Sequence, residues 1–207
     1  HAFILQGARD VAAEFAARGI RYVFNLEKSP LAGKPSPLRA LFQHAAAVVV
    51  EDFPAPPFPR WTRALAARAR GPVWAVDAAC VVPLRGSLKH FDRAYSFRSA
   101  QAKAQAAAIA KPYRELCYQG GFYRGDIGFE AFDFSTSISA ALAHCQIDHS
   151  IAEVLDTPGG SVAGYARWNA FKQTGLTGYA ARRNDAAENG VSRMSAYLHH
   201  GHVSALR

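Results

Sequence analysis

The first hundred residues alternate between helical patterns and short apolar runs. Apolar side chains recur at helical spacing over residues 2–18, and Gly19 follows as a helix stop. Three short runs of β-branched and aromatic residues predict strands, with helical segments between them. The predicted strands cover residues 21–26, 46–50 and 73–76, with helices at 35–44 and 61–70. Parallel strands joined by helices, and covered on both faces, predict a doubly wound, Rossmann-like α/β sheet.

The second half of the chain predicts mostly helices. An alanine-rich basic segment, residues 87–109, is typical of a helix. The glycine-containing residues 111–160 predict a linker with one helix around residues 137–145. Three further helices are predicted at residues 161–176, at residues 177–183, and from a start near Ser192.

The composition excludes a membrane span and a disulfide scaffold. No apolar run in the 207 residues reaches the roughly 18 that a membrane helix needs. Three cysteines without metal-type spacing indicate free thiols in a reducing compartment. The formal charge of +8 favours a polyanion such as DNA, RNA or anionic lipid, although a basic protein without such a partner fits the charge equally well.

Isolated residues that could carry chemistry have simpler structural explanations. His199, His200 and His202 lie close in sequence, but neighbouring helical residues point about 100° apart, so we predict no metal site. Asp77, at a strand end, could contact a bound pigment, and a capping or turn role is favoured. The three tryptophans are interpreted as core residues: Trp61, Trp74 and Trp168.

Three segments, taken in chain order, resemble motifs of the class II DNA photolyases. Residues 76–83, VDAACVVP, are similar to the family's VDAHNxVP strand end, and residues 87–89, SLK, with Arg98 are similar to its SDKxEYxARTxR helix. The longest resemblance joins YAARRND at residues 179–185 to SRMSAYLHHGHVS at residues 192–204. It is similar to the family pattern YxxxRNxP…SNLSPYLHFGxIS.

The resemblance implies an internal fragment of a photolyase of the photolyase/cryptochrome superfamily. Residues 1–110 would form the α/β antenna domain without its first strand, residues 111–160 the interdomain linker, and residues 161–207 the opening helices of an all-helical FAD-binding domain. The implied activity is light-dependent repair of cyclobutane pyrimidine dimers in damaged DNA by electron transfer from reduced FAD. A folate or deazaflavin antenna chromophore, a monomer, and a cytoplasmic or nuclear location are also implied, with the fragment alone inactive and weak in FAD binding.

The resemblance also implies site residues, although no catalytic residue can be assigned. Tyr179, Ser192, Arg193, Met194 and Ser195 would bind the FAD diphosphate, and Arg183 with Asn184 would contact DNA. A helix capped by Ser192, with Ser195 one turn in, would offer hydroxyls and free backbone N–H groups to an anion. An ordinary capped helix and a solvated arginine face are the alternatives.

Two other functions stay open. A cryptochrome-like blue-light receptor would bind FAD without repairing dimers. A non-redox nucleotide-binding α/β module would carry a glycine-rich phosphate loop, and the sequence contains neither GxGxxG nor GxxxxGK[ST].

Overall fold

The computed structural model describes residues 1–29, 36–84, 89–111, 114, 118 and 120–205. Its contacts divide the chain into two compact units. Unit 1 comprises His1–Gly33 with Cys117–Ser204, and unit 2 comprises Lys34–Leu116 with Ala205–Arg207. Ser87 and Leu88 of the second photolyase-like segment lie outside the described residues, as do Cys117 and the first predicted residue of the 35–44 helix.

The described residues form eight helices and two strands. In unit 1 they are α1 (Ala2–Ala17), α5 (Ile138–Ala143), α6 (Ser161–Thr174), α7 (Tyr179–Arg182) and α8 (Ser195–His199). In unit 2 they are α2 (Leu38–His44), β1 (Val48–Glu51), α3 (Phe58–Ala66), β2 (Val73–Val76) and α4 (Ala94–Ile109). No helix in these ranges is both long and apolar enough to cross a membrane.

Helix α1 ends where the glycine predicted it. Gly19 has a φ of 70°, the left-handed region that favours glycine. The backbone N–H groups of Gly19 and Ile20 donate to Ala16 and Phe15 at 3.0 and 2.9 Å, which satisfies carbonyls of the last turn. The helix then packs against α5 and α6.

The predicted strand at residues 21–26 is wrong, because the structure forms no strand there. Tyr22 and Phe24 instead place their rings 6.1 and 6.0 Å from that of Phe134. A single backbone hydrogen bond, from the Phe132 N–H to the Phe24 oxygen at 2.8 Å, joins the two segments. These aromatic residues therefore pack on the loop that contains Phe134 instead of forming the hydrogen bonds of a β-sheet.

Unit 2 contains the predicted strand–helix–strand unit. β1 and β2 pair in parallel, from Val48 opposite Val73 to Glu51 opposite Val76, with α3 between them in sequence. Cover on both faces is wrong for these strands, since Val49 and Trp74 are 61% and 58% exposed. The described residues therefore show a mixed helix–strand architecture with a two-stranded parallel sheet, a partial α/β fold.

The other predicted helices have counterparts, most of them within four residues of the predicted ends, but the alanine-rich helix predicted from residue 87 begins at Ala94. The last helix begins at Ser195, and Met194 rather than Ser192 precedes its first turn. The predicted core positions of Trp61 and Trp74 are also wrong, because both side chains are more than half exposed. The domain boundaries at residues 110 and 160 stay a prediction.

Candidate functional site

The last helix is held by a cluster of buried hydrophobic residues in unit 1. Met194, Tyr197 and Val203 are 6%, 0% and 7% exposed and contact one another. The Tyr197 hydroxyl donates to the Pro158 carbonyl at 2.7 Å. Partly buried side chains complete the cluster: Phe3, Ala163, Tyr165 and Trp168. The backbone on either side of Met194 is therefore fixed by hydrophobic packing.

His202 belongs to this packing and is not placed for a metal. Its Nδ1 accepts the Gly160 N–H at 3.0 Å, and its ring stacks on Phe3 with the centroids 4.5 Å apart. Burial lowers the pKa of His202, which favours the neutral ring. A Cβ on Gly7 would overlap the Nε2 side of the same ring, so α1 approaches this closely because it carries a glycine there. The sequence pattern gave no signal for this contact.

The N-terminus of α6 is already occupied by carboxylates of α1. The Val162 N–H donates to Asp10 Oδ2 at 3.1 Å, and the Ser161 hydroxyl donates to Glu14 Oε1 at 2.9 Å. These two acids lie one helical turn apart on α1 and cap α6 from a neighbouring helix. Two donors of this helix end are therefore already taken, and the carboxylate charges beside it oppose an external phosphate.

The turn over residues 192–195, named here the serine turn, is different. Ser192 is half-buried and Ser195 is exposed, and neither hydroxyl forms a hydrogen bond within the described part of the chain. Arg193 between them has a φ of 53°, which reverses the backbone while Met194 enters the core. The prediction that Ser192 caps α8 is wrong, but the serine turn does offer two unpartnered hydroxyls.

Backbone donors add to these hydroxyls. The N–H groups of Ser195 and Ala196 lie in the first turn of α8 and have no acceptor among the described residues. The helix has only five residues, so its dipole contributes little, and the hydroxyls with the N–H groups carry any anion binding.

Arg193 adds a positive charge to the serine turn and forms an ion pair with Asp156. Its guanidinium donates to Asp156 Oδ2 at 2.9 Å, and both side chains are about half exposed. The Thr157 hydroxyl and Arg193 hold the pKa of Asp156 below its usual range. Only one guanidinium nitrogen contacts Asp156, and the group has five N–H donors, so further donors stay available to a phosphate.

The remaining predicted residues lie around α7. Tyr179 is half-buried with its ring edge-on to Phe171 at 5.8 Å, and the Arg183 guanidinium lies 5.7 Å from the Tyr179 ring centre. Arg183 and Asn184 are exposed. Within the described residues no hydrogen bond or ring contact joins Tyr179 to the serine turn.

The loop after α7 folds back against that helix. Arg182 Nε lies 3.9 Å from Glu188 Oε2, and a Cβ added to Gly190 would lie 2.6 Å from the Arg182 Cβ. Gly190 is buried by this contact, two residues before Ser192. The loop therefore starts the serine turn next to the end of α7.

An open cleft of about 550 Å³ lies on another side of α8. Phe3, Pro158, Ala196 and His200 contribute to its lining, together with residues 152–155. Ser192 and Ser195 do not line it. The serine turn is accordingly a surface site and not the wall of this cleft.

Asp77 has the turn role that its position at a strand end favours. Its Oδ1 accepts the N–H groups of Ala79 and Cys80 at 3.2 and 2.9 Å, and its Oδ2 accepts that of Leu84 at 3.0 Å. These bonds, that of Leu84 first, lower the pKa of Asp77. Both carboxylate oxygens are thus used in shaping the loop after β2.

The donor set of the serine turn fits the diphosphate of a dinucleotide. Hydroxyl, backbone N–H and guanidinium donors are the groups that bind phosphate oxygens. Met194 would contribute only its backbone, since its side chain is buried. In the described part of the chain no group of three His, Cys, Asp or Glu side chains could hold a metal ion.

Comparison with models of known protein families gives no match for this chain, and neither does a search among curated proteins.

Proposed function

We propose that the chain is part of a class II-like photolyase that repairs cyclobutane pyrimidine dimers in DNA with light and reduced FAD. The observation that carries the proposal is the serine turn, whose two hydroxyls and first-turn N–H groups have no partner in the described residues. The turn falls within the longest photolyase-like segment, at the positions that bind the FAD diphosphate in that family.

The packing of that segment also supports the proposal. In the stretch YLHHGHVS the tyrosine, the last histidine and the valine are buried, as Tyr197, His202 and Val203. These residues hold the serine turn from behind and leave its hydroxyls outward. The exposed Arg183 and Asn184 follow α7 and are available for DNA phosphates.

The chain's own residues would bind and position the cofactor. Ser192 and Ser195 would donate hydrogen bonds to phosphate oxygens, and Arg193 would share its charge between Asp156 and a phosphate. FAD, when bound in its reduced form, supplies the electron for dimer cleavage, and the protein supplies binding and orientation.

The first test is an FAD titration of the chain followed by fluorescence anisotropy. Weak binding is expected for the parent chain, and the double variant S192A/S195A removes two hydrogen bonds to a charged group. At about 1.5 kcal/mol or more for each bond, the loss of both lowers its affinity at least about a hundredfold. The matched control S96A/S99A removes two serines at the same spacing from the exposed part of α4 and leaves the affinity unchanged. Equal affinity of both double variants would remove the serine turn as the cofactor site.

The second test is repair by the protein with its coding sequence recovered on both sides. Loss of dimers from an irradiated oligonucleotide, in light and not in darkness, is the expected result. FAD binding that depends on the two serines, without dimer loss, would favour the cryptochrome-like receptor instead. Binding of ADP or ATP without any affinity for FAD would favour the non-redox nucleotide module.

A further inference from the structure

His202 joins three segments of unit 1 at one ring. The residue is 9% exposed, and its backbone N–H donates to the Tyr197 carbonyl of α8 at 2.8 Å. Its ring stacks on Phe3 of α1 and accepts the N–H of Gly160, the residue before α6. A change in the charge of this ring would therefore act on α1, α6 and α8 together.

The hydrogen bond to Gly160 fixes the protonation state of the ring. A backbone N–H can only donate, so Nδ1 of His202 needs a free lone pair to accept it at 3.0 Å. The neutral ring presents that lone pair in the tautomer that carries its proton on Nε2. In the charged ring both nitrogens carry protons, so protonation sets two donors against each other and removes the bond.

Charged and titratable groups surround this ring on each of the packed elements. Asp10 and Glu14 of α1 accept hydrogen bonds from the first turn of α6. His200 follows α8 with its ring centre 6.0 Å from that of His202, and Arg167 of α6 lies over the ring of the buried tyrosine of α8. Burial and His200 together lower the pKa of His202 more than Asp10 raises it, so the neutral ring predominates above the ordinary value of 6.5.

The loop of residues 158–160 depends on this ring. Within the described part of the chain, three side-chain hydrogen bonds hold the loop: the Tyr197 hydroxyl donates to the Pro158 carbonyl, the Gly159 N–H donates to the Gln6 amide oxygen, and the Gly160 N–H donates to the histidine ring. A tyrosine hydroxyl and a side-chain amide keep their protons unchanged on mild acidification. Only the bond to the histidine therefore responds to pH in that range.

We propose that His202 is a pH-sensitive switch for the loop of residues 158–160. The neutral ring holds the loop against α1 and α8, and protonation of Nδ1 breaks the bond to Gly160 and loosens the loop. Because Tyr197 donates to Pro158 in the same loop, the loosening extends to α8 and to the serine turn at its start. This inference concerns the packing of unit 1 and does not depend on the proposed photolyase activity.

The first test determines the tautomer of His202 in the parent chain. A long-range ¹H–¹⁵N NMR spectrum of the chain labelled with ¹⁵N-histidine is recorded at about pH 7.5, where the neutral ring is expected. We expect a protonated Nε2 and an unprotonated Nδ1. A proton on Nδ1 would overturn the proposal, because that nitrogen could not then accept the Gly160 N–H.

The second test is hydrogen exchange of the Gly160 amide between about pH 7.5 and pH 5, expressed as a protection factor to remove the intrinsic pH dependence of exchange. Below pH 6.5 the factor is expected to fall by up to about tenfold for each pH unit, the limit for uptake of one proton. The Cys80 amide is the internal control. It donates to Asp77 Oδ1 at 2.9 Å, and the lowered pKa of Asp77 keeps this acceptor charged over the whole range.

His202→Asn is the matched variant, because its Oδ1 stands in for Nδ1 as an acceptor and does not titrate. The protection factor of the Gly160 amide then becomes independent of pH. His199→Asn is the control: His199 is exposed and forms no hydrogen bond among the described residues, so the dependence of the parent chain is retained.

Two results of the exchange measurement would overturn the proposal. One is a Gly160 protection factor that stays constant in the parent chain while His202 titrates. The other is an equal loss of protection on acidification in the parent chain and in His202→Asn, since another group would then carry the effect. The tautomer measurement needs no variant, so it decides the proposal even if His202→Asn does not fold.

Discussion

Tyr197 offers the sharpest test of how the serine turn is held. Its side chain is fully buried, and it makes two separable contributions: ring packing and one hydrogen bond. Tyr197→Phe keeps the ring and removes the hydroxyl from the Pro158 carbonyl. Since Pro158 is an exposed residue, water can replace the lost donor, and the net cost is about 1 kcal/mol.

Tyr197→Ala also removes the ring, which lies 5.2 Å from that of Phe3 and contacts Met194 and Val203. Loss of a buried aromatic ring and the cavity it leaves cost about 3–5 kcal/mol. The ring therefore outweighs the hydroxyl severalfold. Tyr95→Phe is the control for the hydroxyl, because Tyr95 is 77% exposed and its change is expected within about 0.5 kcal/mol of the parent.

The measurement is urea unfolding followed by tryptophan fluorescence in a W61F/W74F background. Trp168 is then the sole tryptophan, and it packs against the same cluster. If Tyr197→Ala unfolds within about 0.5 kcal/mol of the parent, the cluster does not anchor α8 and the reasoning is wrong. If Tyr197→Phe costs as much as Tyr197→Ala, the hydrogen bond rather than the packing holds the turn.

Three further changes test the surroundings of the site. Burial lowers the pKa of His202 in the folded protein below its ordinary value of 6.5. The free energy of unfolding is therefore highest above pH 6.5 and falls on acidification below it, by at most about 1.4 kcal/mol per pH unit. His202→Gln is expected to flatten this pH dependence, as measured by urea unfolding at several pH values. Asp10→Ala removes the acceptor of the Val162 N–H and lowers stability by about 1 kcal/mol, measured by thermal unfolding. Glu153→Ala is the control, because this exposed side chain forms no hydrogen bond or ion pair among the described residues. Gly7→Ala places a Cβ on the His202 ring and costs about 1–3 kcal/mol, whereas an undiminished melting temperature would show that the ring moves aside freely.

Local patterns in the sequence predicted most helices because their causes are local. The stop of α1 needs only a glycine at position 19, and the parallel pair needs two short apolar runs separated by a helix. Residues 21–26 show the limit of such reasoning. Their aromatic residues suit a strand, but the choice between a ladder and the ring of Phe134 depends on a segment more than a hundred positions away.

At the candidate site, too, the sequence predicts the local features and misses those that depend on tertiary contacts. The sequence placed two hydroxyls within one turn, and the structure leaves both unpartnered. The sequence could not show that Met194, between them, belongs to the core, or that Arg193 takes a left-handed conformation to put it there. Both depend on where the ring of Tyr197 packs, which is a tertiary contact.

The N-termini of α6 and α8 show that the hydrogen-bond donors that remain free decide where an anion can bind. α6 is the longer helix and follows a glycine pair, features that favour a phosphate site by sequence alone. Its serine hydroxyl and the Val162 N–H, however, are taken by Glu14 and Asp10 of α1, and the charges of these carboxylates would repel a phosphate. α8 is too short for a strong dipole, but its hydroxyls and first N–H groups are free. The two free hydroxyls, rather than the length of the helix, therefore make the serine turn the site to test.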